Sequence, residues 1–101
     1  MIETLITNEL HKAEQKFKPI NSGHEGYAVI KEEIDELEKE YNDLNLTLNR
    51  LWIYVKKDHK EEQIKSTGLM YFATINIIKE AIQVAAMCKR FQKDLGVEEI
   101  K

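Results

Sequence analysis

From Tyr27 to Val55 the apolar residues Tyr27, Ile30, Ile34, Leu37, Tyr41, Leu44, Leu48, Leu51 and Val55 recur in strictly alternating steps of three and four. That is a heptad seam, and a seam sustained over this length specifies one long helix with an apolar edge laid against another helix. Ser22 followed three positions later by Glu25 is a capping box, which marks where the helix starts. Unbroken to Val55, such a helix is a rod about 50 Å long, whereas a compact domain of about 100 residues has a radius of gyration near 13 Å. The rod must overhang its own domain. It therefore needs either a break near Asn42–Asn49, where weak helix formers cluster, or a partner chain.

The remaining chain reads as two further helices. Ile2, Leu5, Ile6, Leu10, Ala13 and Phe17 form a single stripe, giving a helix over 2–17 that Pro19 terminates. A polar run, Lys56–Glu62, closes the long helix. A third helix then starts within Glu62–Leu69 and ends at Leu95, with Gly96 as its C′ residue. It carries two stripes, one of Ile77, Ala81, Val84, Cys88, Phe91 and Leu95, the other of Tyr71, Ile75, Ile78, Ile82 and Ala85. A helix apolar on two faces is covered on two sides. The expected fold is all-α, a single domain over 1–101: an antiparallel helical bundle with one long helix, completed by oligomerisation into a homodimer or homotetramer.

Four Gly and one Pro leave too little turn punctuation for a β-sandwich or barrel. Lone Cys88 forms no intrachain disulfide and reads as core. No apolar run is long enough to span a membrane, and the N-terminus lacks a signal-peptide layout, so the expected location is cytoplasmic, with no membrane partner. Residues 1–50 hold eleven Asp/Glu against six Lys/Arg, and Glu32–Glu40 alone holds six acids. Such a stretch repels phosphate backbones, which argues against nucleic acid as partner. His11, His24 and His59 share no zinc-ligand spacing with each other or with Cys88.

Glu33, Glu36 and Glu40 fall at i, i+3, i+7 on one side of the long helix, with Glu32 beside them. On the third helix Glu80 and Gln83 repeat the i, i+3 spacing in an otherwise apolar stretch, where a carboxylate is costly unless paired or metal-bound. Two helices that each present an i, i+3 pair of oxygen ligands suit a hard cation, Mg²⁺ or Mn²⁺. The alternative is plainer: Glu80 pairs with a lysine across the bundle and the acidic run is a solvated face.

Phe17–Glu40, with Asn21-Ser22-Gly23-His24-Glu25-Gly26-Tyr27 leading into Glu32-Glu33-Ile34-Asp35-Glu36, resembles the opening of MazG-like nucleotide pyrophosphohydrolases, and 80–95 resembles their second metal helix. The family signature is Glu-Glu-x-x-Glu on one helix and Glu-x-x-Asp on the next. Glu32, Glu33 and Glu36 meet the first half; Glu80 meets the second, with Gln83 in place of Asp. The resemblance implies an all-α dimer or tetramer that uses Mg²⁺ (or Mn²⁺) to cleave a nucleoside triphosphate into monophosphate and pyrophosphate. On that reading Glu33, Glu36, Glu80 and Gln83 are the metal residues, with Glu40 an alternative fourth ligand, and Glu32 is the catalytic base. Lys79, Lys89 and Arg90 are candidates to meet the phosphates. Two rival readings stand beside it: a non-catalytic helical dimer of the same fold that binds a nucleotide or protein, and a coiled-coil adaptor built on the 27–55 seam.

Overall fold

A computed structural model describes residues 1–96, and among them the secondary structure is entirely helical, in three helices: α1 (Ile2–Lys16), α2 (Gly23–Lys56) and α3 (Lys60–Asp94). The expected 1–101 span runs five residues past the described ones. α2 starts where the capping box places it, the Ser22 hydroxyl accepting from the Glu25 amide at 3.1 Å. It then continues for 34 residues through Asn42, Asn45, Thr47 and Asn49 without a break. Burial along one edge of a long helix outweighs the low helix propensity of four residues.

The turn between α2 and α3 takes three residues. Asp58 has φ +55°, the His59 amide donates to the Tyr54 carbonyl at 3.0 Å, and the Asp58 amide donates to Val55 at 3.1 Å. This is a Schellman cap with aspartate in the left-handed position usually held by glycine. Because the turn is so short, α3 begins at Lys60, ahead of the expected 62–69, and Gly68 lies inside the helix. α3 ends at Asp94, with Gly96 at φ +74° as the expected C′ residue.

α2 and α3 form an antiparallel hairpin, and α1 packs on α3. The short α1, 15 residues against 35, reaches only the C-terminal part of α3. There Ala13, Ala86 and Met87 make a small core closed by Ile6, Leu10, Val29 and Ile30. Glu14 and Lys93 pair across the same junction at 2.6 Å. The stripe of Ala81, Val84 and Cys88 is thus not the buried one: Ala81 and Cys88 are exposed, while Ala86, Met87 and Arg90 are buried. α1 approaches α3 on one side and α2 on another, and burial follows the junction of the two rather than either stripe.

Arg90 has a role that hydrophobic spacing does not reveal. Its side chain is 5% exposed; Nη2 donates to the Lys18 carbonyl at 2.6 Å, and Nε lies 3.6 Å from Asp94. Asp94 in turn accepts from the Ile20 amide at 2.9 Å, and Ile20 is fully buried. The Phe17–Ser22 linker is thereby clasped to the end of α3. Beside it Gly26 abuts the Phe91 ring so closely that a Cβ would overlap it. The clasp holds the start of α2 beside the end of α3.

The molecule is elongated as expected of the rod, 57 × 28 × 26 Å with a radius of gyration of 17.9 Å. Within the seam one seven-spaced row, Ile30, Leu37, Leu44 and Leu51, is half-buried, whereas the other, Tyr27, Ile34, Tyr41, Leu48 and Val55, is exposed. Among the described residues no helix is long and apolar enough to cross a membrane.

Candidate metal centre

The long helix brings Glu33 and Glu36 to one edge because they are three apart, and the hairpin register sets Glu80 against them. One carboxylate oxygen from each of Glu33, Glu36 and Glu80 lies within 4.8 Å of the others. Glu33 and Glu80 are half-buried; Glu36 is exposed and opens the group to solvent.

Three like charges so close oppose one another. Burial, and after it the charges of Glu36, Glu80 and Glu32, hold the Glu33 carboxyl above the usual carboxylate range. Glu80 is raised the same way, first by burial, then by the charge of Glu36, by a hydrogen bond with Glu36 and by the charge of Glu40. Ionised carboxylates only accept, so that hydrogen bond exists when one of the two holds a proton. With both ionised, Glu80 Oε2 is buried and has no hydrogen-bond partner. A proton, a water or a cation can supply what the protein does not. Oxygens held at these separations can close on one hard cation, whose ligand distances are about 2.0–2.6 Å.

The other sequence candidates fall around this centre. Glu32 is exposed and lines an open groove with Tyr27, Lys31, Asp35, Glu36 and Lys39. Glu40 acts on Glu80 through its charge and stands outside the group of three. Gln83, one turn beyond Glu80, gives its amide to α1: Nε2 donates to Glu9 Oε2 at 2.7 Å. Glu9 also receives Lys12 at 3.3 Å. Sequence reasoning missed Glu9, and its only signal is a charge four residues after Leu5, at the rim of the α1 stripe. Arg90 is occupied by the linker clasp, which removes it from the phosphate candidates. Lys79 is exposed.

Comparison with protein-family models, with curated proteins and with solved structures finds no match to this chain.

Proposed function

We propose that this chain is a Mg²⁺- or Mn²⁺-dependent nucleoside triphosphate pyrophosphohydrolase of the MazG-like kind, acting in the cytoplasm as a homodimer or homotetramer. The observation that carries the reading is the convergence of Glu33, Glu36 and Glu80 from two helices, with a buried oxygen on Glu80 left without a partner. These three would hold the metal. When bound, it would offset the charge of the triphosphate oxygens and that developing in the transition state. Glu32, exposed beside them, would accept the proton of the attacking water. The water oxygen bonds to one phosphorus of the α–β anhydride, the bond from that phosphorus to the bridging oxygen breaks, and monophosphate and pyrophosphate leave.

Pyrophosphate release from a full panel of ribo- and deoxynucleoside triphosphates, with Mg²⁺ and with Mn²⁺, tests it. Metal-dependent release that Glu36→Gln and Glu80→Gln abolish supports the reading; no release from any substrate with either metal ends it. A second reading is favoured by the contact between Gln83 and Glu9, which commits to α1 the side chain standing at the family's fourth metal position. On it the chain binds a metal–nucleotide complex without turning it over. Folding stability then rises with Mg²⁺ plus nucleotide, by about 2.7 kcal/mol at a hundredfold excess over Kd, and the melting temperature with it, while no pyrophosphate appears. The adaptor reading, favoured by the exposed row on α2, requires that neither be seen.

A further inference from the structure

Glu32, Glu36 and Lys39 stand at i, i+4, i+7 on α2, and all three line one open groove of about 500 Å³ with Tyr27, Lys31 and Asp35. Glu32 and Lys39 are one heptad apart and so share a helix edge, about 10 Å from each other along the axis. Between them Glu36 belongs also to the group it forms with Glu33 and Glu80, which makes the groove continuous with that centre.

One divalent cation does not balance three glutamates, and a triphosphate adds further negative charge, so a bound triphosphate calls for another cation within reach. Arg90 is held by the linker. Lys89 lies nine residues after Glu80, about half a turn round α3 from it. Lys79 lines a separate groove between α1 and α3, with Leu5, Ile78 and the bonded pair Gln83 and Glu9. Lys31 shares the groove of Glu36 but is bonded to both oxygens of Asp35, at 3.1 and 3.0 Å. Lys39 is exposed and forms no ion pair among the described residues, although Asp35 and Asp43 stand four residues to either side.

We propose that Lys39 is the residue that meets the leaving group. In an in-line displacement the attacking water and the departing oxygen lie on opposite sides of the phosphorus. Glu32, four residues before Glu36, takes the proton of the water; the departing side then falls toward Lys39, three residues after Glu36. The bridging oxygen leaves with the electron pair of the broken bond. The Lys39 ammonium keeps its proton, donates a hydrogen bond to that oxygen and offsets its charge. Lys39 lies outside the Glu-Glu-x-x-Glu signature, and its role rests on the proposed hydrolysis.

Calorimetry with Mn²⁺ alone, and with Mn²⁺ plus inorganic triphosphate, separates the contact from the chemistry. Lys39→Ala should weaken triphosphate binding about tenfold, the worth of one hydrogen bond to a charged group. Mn²⁺ alone should bind it as tightly as it binds the wild type, or more so, because a neighbouring positive charge is gone. Pyrophosphate release should fall about a hundredfold in kcat, as on loss of one donor to a developing oxyanion, and Lys39→Arg should recover part of it. Lys31→Ala and Lys79→Ala should stay near the wild type in both measurements, and circular dichroism should show every variant helical. Unchanged triphosphate affinity in Lys39→Ala, or a loss that appears in Lys79→Ala instead, overturns the assignment and leaves the hydrolysis standing. Weaker binding of Mn²⁺ alone by Lys39→Ala also overturns it, since the residue would then act through the metal centre. A wild type that binds neither Mn²⁺ nor Mn²⁺ with triphosphate overturns both the assignment and the hydrolysis.

Discussion

The carboxamide of Gln83 donates to the carboxylate of Glu9 across 2.7 Å, joining α1 to α3 one turn beyond Glu80. A position that spacing assigns to a metal is thereby also a brace for the first helix. Gln83→Asp removes the donor and sets a second carboxylate against Glu9. Without divalent metal the variant should lose about 1–3 kcal/mol of stability, the range for a hydrogen bond to a charged group and its uncompensated partner. Chemical denaturation in chelator measures it. Adding Glu9→Gln should restore much of the loss, since a neutral amide can donate to the new carboxylate.

Glu36→Gln and Glu80→Gln each remove one charge from the crowded centre. Both should keep the helical circular dichroism signal, hold or slightly raise melting temperature in chelator, and abolish the metal-dependent stabilisation. An unfolded Glu80→Gln would mean that Glu80 is a structural ion-pair partner instead.

The raised carboxyl groups of Glu33 and Glu80 fix a sign for pH dependence. In the folded protein they hold protons at pH values where the unfolded chain, near 4.5, has released them. Their contribution to stability is therefore fully present below pH 4.5 and is lost as pH rises through the raised values. Urea midpoints in chelator should show this loss, Glu80→Gln should reduce it, and Mg²⁺ should oppose it by favouring the ionised forms.

Gly26→Ala tests the clasp independently of the site. The added methyl overlaps the Phe91 ring at a buried helix crossing, so α2 must shift or Phe91 must turn. Overpacking of this kind costs about 1–3 kcal/mol. Gly23→Ala, with open space around its Cβ, should leave the denaturation midpoint near that of the wild type.

What could be read from the sequence was what short-range spacing encodes. Ser22 and Glu25 give the start of α2, the seam gives its length, and the three- and four-residue intervals group Glu33 with Glu36 and set apart Glu80. The start of α3 was hidden because Asp58 takes a positive φ with no glycine to announce it, while Gly68 stands in mid-helix and suggests a break. The phase of burial on α3 was hidden because two helices meet it from different sides, which exposes Cys88 and buries Met87. Arg90 escaped for a related reason. Its neutralising partners, the Lys18 carbonyl and Asp94, are linker and helix end, and a buried guanidinium looks like a surface residue to any hydrophobic count.

The clasp of Arg90, Asp94 and Gly26 also acts as a ruler. It ties the start of α2 to the end of α3 as the three-residue turn ties their other ends, and the centre lies a short count from it: Glu33 seven residues after Gly26, Glu80 eleven before Phe91. Helical residues advance by about 100° each. Deleting one residue between Gly26 and Glu33 would leave all three carboxylates in the chain, yet turn Glu33 and Glu36 by about a quarter of a revolution away from Glu80. The centre is thus specified as much by two residue counts as by its ligands, and substitutions in those stretches should be tolerated far better than changes of length.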